Sequence, residues 1–282
     1  MPVGNDSPPP VTQAHHVHQG VAITRYAVGG SDVRRAPVVL VHGGNEAGWV
    51  WERYARFLAE DGWDVVVFDW LHHGRSERLP AAEFLSRSIL DVARHELPAG
   101  IETLGPNRPA PILVGHSMGA LAVLAFAAAA PVRAVALLAP TCPAHVHAEP
   151  LVVPVDSGVP FPPPPLDMAR EMFFTGLGEA EAAQCYARLE PESPRAVLEA
   201  TRGMLRPDLD AVTVPGLVLA AELDRLTSPV VARRLAALLS AEYAVVPAVG
   251  HCGLLLAEDG WRVGAQLLRT FVRAHGETPT AT

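Results

Sequence analysis

One hydroxyl is set apart by its neighbours. In "ILVGHSMGALAVLAFAAAA" (Ile112 to Ala130), Ser117 has glycine two positions to either side, between a branched apolar run and an alanine-rich one. A tight strand-to-helix turn presses the backbone against itself, so a Cβ at Gly115 or Gly119 would clash. Such a turn lifts the hydroxyl clear of a sheet and aims the first helical amides at any negative charge forming beside it. The chemistry on offer is nucleophilic attack by an alcohol. The same pattern also suits a helix N-cap serine with glycines for packing.

A serine hydroxyl is a weak nucleophile and needs a base, which needs an orienting acid. His251, in "AVGHCGLLLAE", lies in a glycine-flanked loop directly after the last strand-like run. Asp224, in "LVLAAELDRLTSP", falls just past the preceding run, with Glu222 as its competitor two residues earlier. Both positions belong to the carboxyl edge of a sheet, where the turn at Ser117 would also point. The bland alternatives are a structural loop histidine for His251 and a solvated or capping carboxylate for Asp224.

The elements needed to bring these residues together are legible as an alternation. β-type runs occur at Val21 to Val28, Pro37 to Gly44, Asp64 to Trp70, Pro111 to His116, Arg133 to Pro140, Gly216 to Leu223 and Ala241 to Val249. Helical patterns fall between them, at Trp49 to Glu60, within Phe84 to Leu104, and after Ser117. Most of the strand-like runs are continuously apolar, as strands covered on both faces are. The expectation is an α/β fold, doubly wound around a mostly parallel sheet. Residues 21–140 and 207–275 make up this core, and 276–282 a tail. Residues 141–206, proline-crowded from Pro143 to Pro165 and then helical, break the rhythm and read as an inserted helical lid. Residues 1–20, rich in Pro and polar side chains, read as a disordered lead-in. This includes "HHVH" (His15 to His18), a polar stretch with at most adventitious metal binding.

Composition narrows the function. The 282-residue chain is 49% hydrophobic and 18% charged, enough for a sizeable core. A net charge of -8 argues against nucleic acid or an anionic membrane as partner. All 22 basic residues are arginine, which removes Schiff-base chemistry and Walker-type phosphate loops. Cys142, Cys185 and Cys252 have no metal-ligand spacing, so no metal, cofactor or disulfide framework is expected. Without a leader or a spanning apolar run, the expected address is the cytoplasm. The partner expected is a small-molecule substrate; the oligomeric state is left open.

With these motifs in place, the chain resembles the α/β-hydrolase superfamily, in the small-lid group of esterases, thioesterases and lactonases, from about Val21 to Ala274. The resemblance implies Ser117 as nucleophile, His251 as general base and then acid, and Asp224 as the orienting carboxylate. "HGGNEAGWVW" (His42 to Trp51) is similar to the family's oxyanion loop. It implies donation from the amide of Gly44, with Asn45 the neighbouring possibility, and from Met118 in the nucleophile turn. The family's D-x-x-G-H-G-x-S is here "DWLHHGRS", with His72 in place of the first glycine. His72 and His73 are read as structural or substrate-edge residues. Asn45, Phe161, Met172 and Phe173 are candidate substrate contacts; Met168 and Phe174 share the choice between lining a cavity and packing the lid. The expected activity is acyl-enzyme hydrolysis of an ester, thioester or lactone. A lyase, cyclase or ligand-binding protein on the same scaffold is the alternative.

Overall fold

A computed structural model describes residues 10–29, 34–146 and 151–277. Eight strands form one sheet in the order β1-β2-β4-β3-β5-β6-β7-β8. They are β1 (Val11–His18), β2 (Val21–Val28), β3 (Val38–Val41), β4 (Val65–Phe68), β5 (Ile112–His116), β6 (Ala134–Leu138), β7 (Gly216–Ala221) and β8 (Glu242–Val246). From β4 across to β8 all pairs are parallel; β1 with β2 and β2 with β4 are antiparallel.

The apolar runs have the expected cause. In β3, Val38 and Leu40 pack into one core and Val39 and Val41 into the other, on opposite faces of the sheet. One core is covered by α1 (Glu52–Glu60), α10 (Gly253–Leu256) and α11 (Glu258–Gly276). The other lies under α3 (Ile89–Asp91), α4 (Leu97–Glu102), α5 (Met118–Ala127) and α9 (Pro229–Leu238). A short α2 (Ala81–Leu85) precedes α3. Between β6 and β7 the chain inserts α6 (Leu166–Met172), α7 (Glu179–Tyr186) and α8 (Pro194–Thr201).

One expectation needs correction. Residues 11–18 do not belong to a disordered lead-in: they form β1, paired along its length with β2. Nearly all its side chains are exposed, including those of His15 and His16, so no hydrophobic alternation marks it. It is an edge strand held by backbone hydrogen bonds, which sequence periodicity does not register. Residues 1–9, and 278–282 of the expected tail, lie outside the described residues.

Candidate active site

The turn after β5 has the strain its glycines imply. Ser117 has φ 51° and ψ -123°, a conformation that residues other than glycine seldom adopt. Backbone bonds pin it: Ser117 N donates to Leu138 O at 3.1 Å, and Thr141 N donates to Ser117 O at 3.0 Å. A Cβ on Gly115 would stand 2.7 Å from Gly119 O, and one on Gly119 only 2.3 Å from His42 O. The serine side chain makes no capping bond to its helix. The N-cap alternative is therefore set aside.

That side chain points to His251 instead. Ser117 Oγ and His251 Nε2 are 2.8 Å apart, and His251 Nδ1 and Asp224 Oδ2 are also 2.8 Å apart. A carboxylate only accepts, so Nδ1 donates to Asp224 and Nε2 is left to accept the serine proton. The other oxygen of Asp224 accepts from the amides of Leu226 (2.8 Å) and Thr227 (2.9 Å). Burial alone would lower the pKa of His251, but the Asp224 charge and hydrogen bond, helped by Glu46, outweigh it and raise it. Glu222 is exposed and accepts from Ala248 N at 2.8 Å, which removes it as a competitor.

Beside Ser117, the N–H groups of Gly44 and Met118 donate to no protein acceptor among the described residues. The neighbouring amides do. Gly43 N donates to Glu46 Oε2 at 2.8 Å and Asn45 N to Glu192 Oε2 at 3.2 Å. Two unengaged donors next to a hydroxyl paired with a histidine can donate to a developing oxyanion. His42 supports this loop from beneath. Its Nε2 accepts from Trp70 N at 3.0 Å and its Nδ1 donates to Gly43 O at 2.8 Å. Burial, with His73 nearby, takes its pKa down to about 4, so the ring stays neutral.

Ser117, Gly44, Met118 and His251 all border a cavity of about 1090 Å³. Asn45, Phe161, Met168, Met172 and Phe173 line it as well, while Phe174 is buried in the core instead. Asn45 reaches the cavity while its Nδ2 donates to Glu190 O at 2.8 Å. His72 takes φ 72°, the conformation a glycine would supply, and its ring stacks on Phe84 at 3.8 Å. The departure at that position thus keeps the turn. His73 faces Glu192 at 3.3 Å in a fully buried pair.

Sequence reasoning missed Glu46. It accepts from Gly43 N, approaches His116 Nδ1 at 3.1 Å and accepts from the Cys252 thiol at 3.1 Å. Burial opposes its charge, yet His116 and the other donors hold its pKa down at about 2. Glu46, His116 and Cys252 are the described residues with donor atoms close enough to hold a metal, within 4.8 Å of one another. No spacing signal joins positions 46, 116 and 252; Glu46 could be flagged only as a carboxylate next to an otherwise apolar turn.

A parallel sheet with a strained serine turn at its carboxyl edge defines a class of fold, and sequence comparison places the chain within it. Residues 38–262 match the Alpha/beta hydrolase family, and the chain belongs to it. It is 35% identical over 101 residues to a protein of Mycobacterium phage D29 named as a non-heme haloperoxidase. That alignment spans 36% of this chain and about a third, 34%, of the phage protein. Among solved structures it is similar to an N-acyl homoserine lactone degrading enzyme, with TM-score 0.63 and 21% identity over 92% of this chain and 100% of that one. A thermophilic esterase from Thermogutta terrifontis gives TM-score 0.63 and 19% identity over 95% of this chain and 100% of that one. No helix among the described residues is long and apolar enough to cross a membrane. The family supports hydrolase-type activity.

Proposed function

We propose that this chain is a serine hydrolase that cleaves an ester, thioester or lactone of a small-to-medium apolar substrate through an acyl-enzyme. The carrying observation is the run of two 2.8 Å contacts, Asp224 to His251 to Ser117, opening into the cavity. In this reading His251 takes the proton as Ser117 attacks the carbonyl, and Asp224 holds the imidazole in the productive tautomer. The amides of Gly44 and Met118 receive the oxyanion, an arrangement worth about 3 kcal/mol per donor in comparable sites. His251 then protonates the leaving group and activates the water that releases the acid. No step calls on a metal or cofactor.

The insertion 141–206 serves as the lid, supplying Phe161, Met172 and Phe173 as apolar wall. Cys142, Cys185 and Cys252 are all free thiols, in keeping with a reducing compartment such as the cytoplasm.

The test is an active-site-directed fluorophosphonate with peptide mapping, alongside nitrophenyl esters and acyl thioesters of graded length. Ser117 is expected to carry the label, and Ser117→Ala to lose both label and turnover while staying folded. A folded wild-type protein that takes no label and turns over no acyl substrate overturns the reading and favours a lyase or binding role.

A further inference from the structure

Four arginine side chains make no hydrogen bond, ion pair or ring contact among the described residues: those of Arg94, Arg202, Arg206 and Arg234. Three of them, Arg202, Arg206 and Arg234, line the cavity that opens at Ser117. Arginines elsewhere are engaged, whether by carboxylates as in Arg87 with Glu96 or by rings as in Arg188 over Trp49. Arg225, which also borders the cavity, pairs with Glu171 at 2.9 Å.

The three belong to adjoining elements. Arg202 follows α8 directly and Arg206 lies four residues on. Ala144 N donates to Leu205 O at 3.0 Å, which holds that turn against the short 3-10 turn Ala144–Val146. α9, which carries Arg234, packs on the same 3-10 turn.

Few carboxylates among the described residues line the cavity beside these charges. Among the described residues its carboxylates are Glu46, committed to Gly43, His116 and Cys252, and Asp156, which accepts from Gly158 N at 2.8 Å. In a chain of net charge -8, three solvent-exposed guanidinium groups around one cavity, with no ion-pair partner among the described residues, are a local exception. Apolar walls concentrate such a field and draw in anions. A guanidinium also matches a carboxylate or phosphate with paired donors.

We propose that the substrate is amphiphilic: an ester, thioester or lactone whose apolar body fills the cavity and whose far end carries a carboxylate or phosphate. Arg202, Arg206 and Arg234 bind that anionic end. The inference rests on the hydrolase reading above and narrows it to a substrate class.

Two matched pairs test it. The first is 4-nitrophenyl octanoate against the mono-4-nitrophenyl ester of octanedioic acid, which differ by a terminal carboxylate. The second is octanoyl-pantetheine against octanoyl-phosphopantetheine, which differ by a phosphate. The wild-type enzyme is expected to favour the charged member of at least one pair by about tenfold or more in kcat/KM, through KM, as one charge-assisted contact allows. The pair that responds tells which anion is the better fit. The preference shrinks as salt rises. Combined Arg202→Gln, Arg206→Gln and Arg234→Gln reverses it toward the neutral member, while Arg94→Gln leaves the ratio unchanged. Wild-type preference for the neutral member in both pairs, or a ratio that survives the triple substitution, overturns the proposal. Calorimetric binding of octanedioic acid monoamide against octanamide to Ser117→Ala reads the same preference without turnover. A binding preference with no hydrolysis in any pair would retain the anion site and discard the hydrolase reading.

Discussion

Replacing Asp224 by Asn removes one charge while keeping size and shape. The amides of Leu226 and Thr227 still find an oxygen at Oδ1, so the loop after β7 has reason to keep its place. What changes is the partner of His251 Nδ1. If the amide turns its nitrogen toward the ring, Nδ1 must accept, the proton moves to Nε2, and Nε2 can no longer take one from Ser117. The lost charge costs as well. Asp224 and His251 are both buried, and their facing atoms are 2.8 Å apart. At an effective dielectric of about 20, a unit-charge pair some 4 Å apart is worth roughly 4 kcal/mol, or about a thousandfold in rate. Adding the tautomer penalty, kcat should fall by roughly a thousandfold to ten-thousandfold. KM should move little, because Asp224 does not line the cavity.

The pH profile carries the sharper test of that variant. In the proposed mechanism hydrolysis requires neutral His251, whose raised pKa should put the acid limb of kcat/KM above the usual 6.5. Once the carboxylate is gone, burial dominates and the limb should move to lower pH. The assay is steady-state hydrolysis of a nitrophenyl ester across pH, with Glu222→Gln as a control expected to stay near wild type. A kcat within about tenfold of wild type, or an acid limb that does not move down, would refute the proposed role of Asp224.

Two further substitutions probe the scaffold. Glu192→Gln removes the charge facing His73 and weakens an acceptor for Asn45 N, both buried. It should cost about 3 kcal/mol and lower Tm by roughly 6–12 °C in thermal melts. The pKa of Glu192 is lowered and that of His73 raised, burial opposing both charges and the mutual attraction winning. The Tm gap should therefore be widest between those two values. It should narrow as acid protonates Glu192 or as alkali neutralises His73; a gap independent of pH would remove the charge pair as its cause. Gly119→Ala puts a methyl 2.3 Å from His42 O and 2.6 Å from Val41 O, both rigid backbone. Overpacking of about 1–3 kcal/mol and displacement of the Met118 amide should lower Tm and kcat together, and wild-type melting and turnover would contradict the turn argument.

The parts of the molecule that could be read in advance are those where one local rule decides the outcome. Continuous valine and leucine runs announced strands buried on two faces. Gly115 and Gly119 announced the turn, because no other residue lets α5 approach β3 so closely. Ser117, Asp224 and His251 each follow a readable strand, so placing the strands placed them. β1 escaped because its side chains pack against almost nothing. Glu46 escaped for the opposite reason: its value comes from His116 and Cys252, which only the folded chain brings to it.

The insertion also escaped in its most consequential respect. Read as a cover, it was expected to touch substrate; its backbone bonds tie it to the machinery as well. Gly250 N donates to Thr175 O at 2.9 Å and Cys252 N to Phe173 O at 2.8 Å, so the segment after α6 brackets His251 from both sides. At the other loop, Glu190 N donates to Asn45 O at 2.9 Å, and Glu192 takes the Asn45 amide. That last bond leaves Gly44 as the loop's unengaged donor beside Ser117. The same inserted segment therefore steadies the proposed base and selects the proposed oxyanion donor. Contacts of this kind are made by backbone groups, which every residue type carries. No residue pattern could have announced them, and deleting the segment would disorder the two loops rather than merely uncover the cavity.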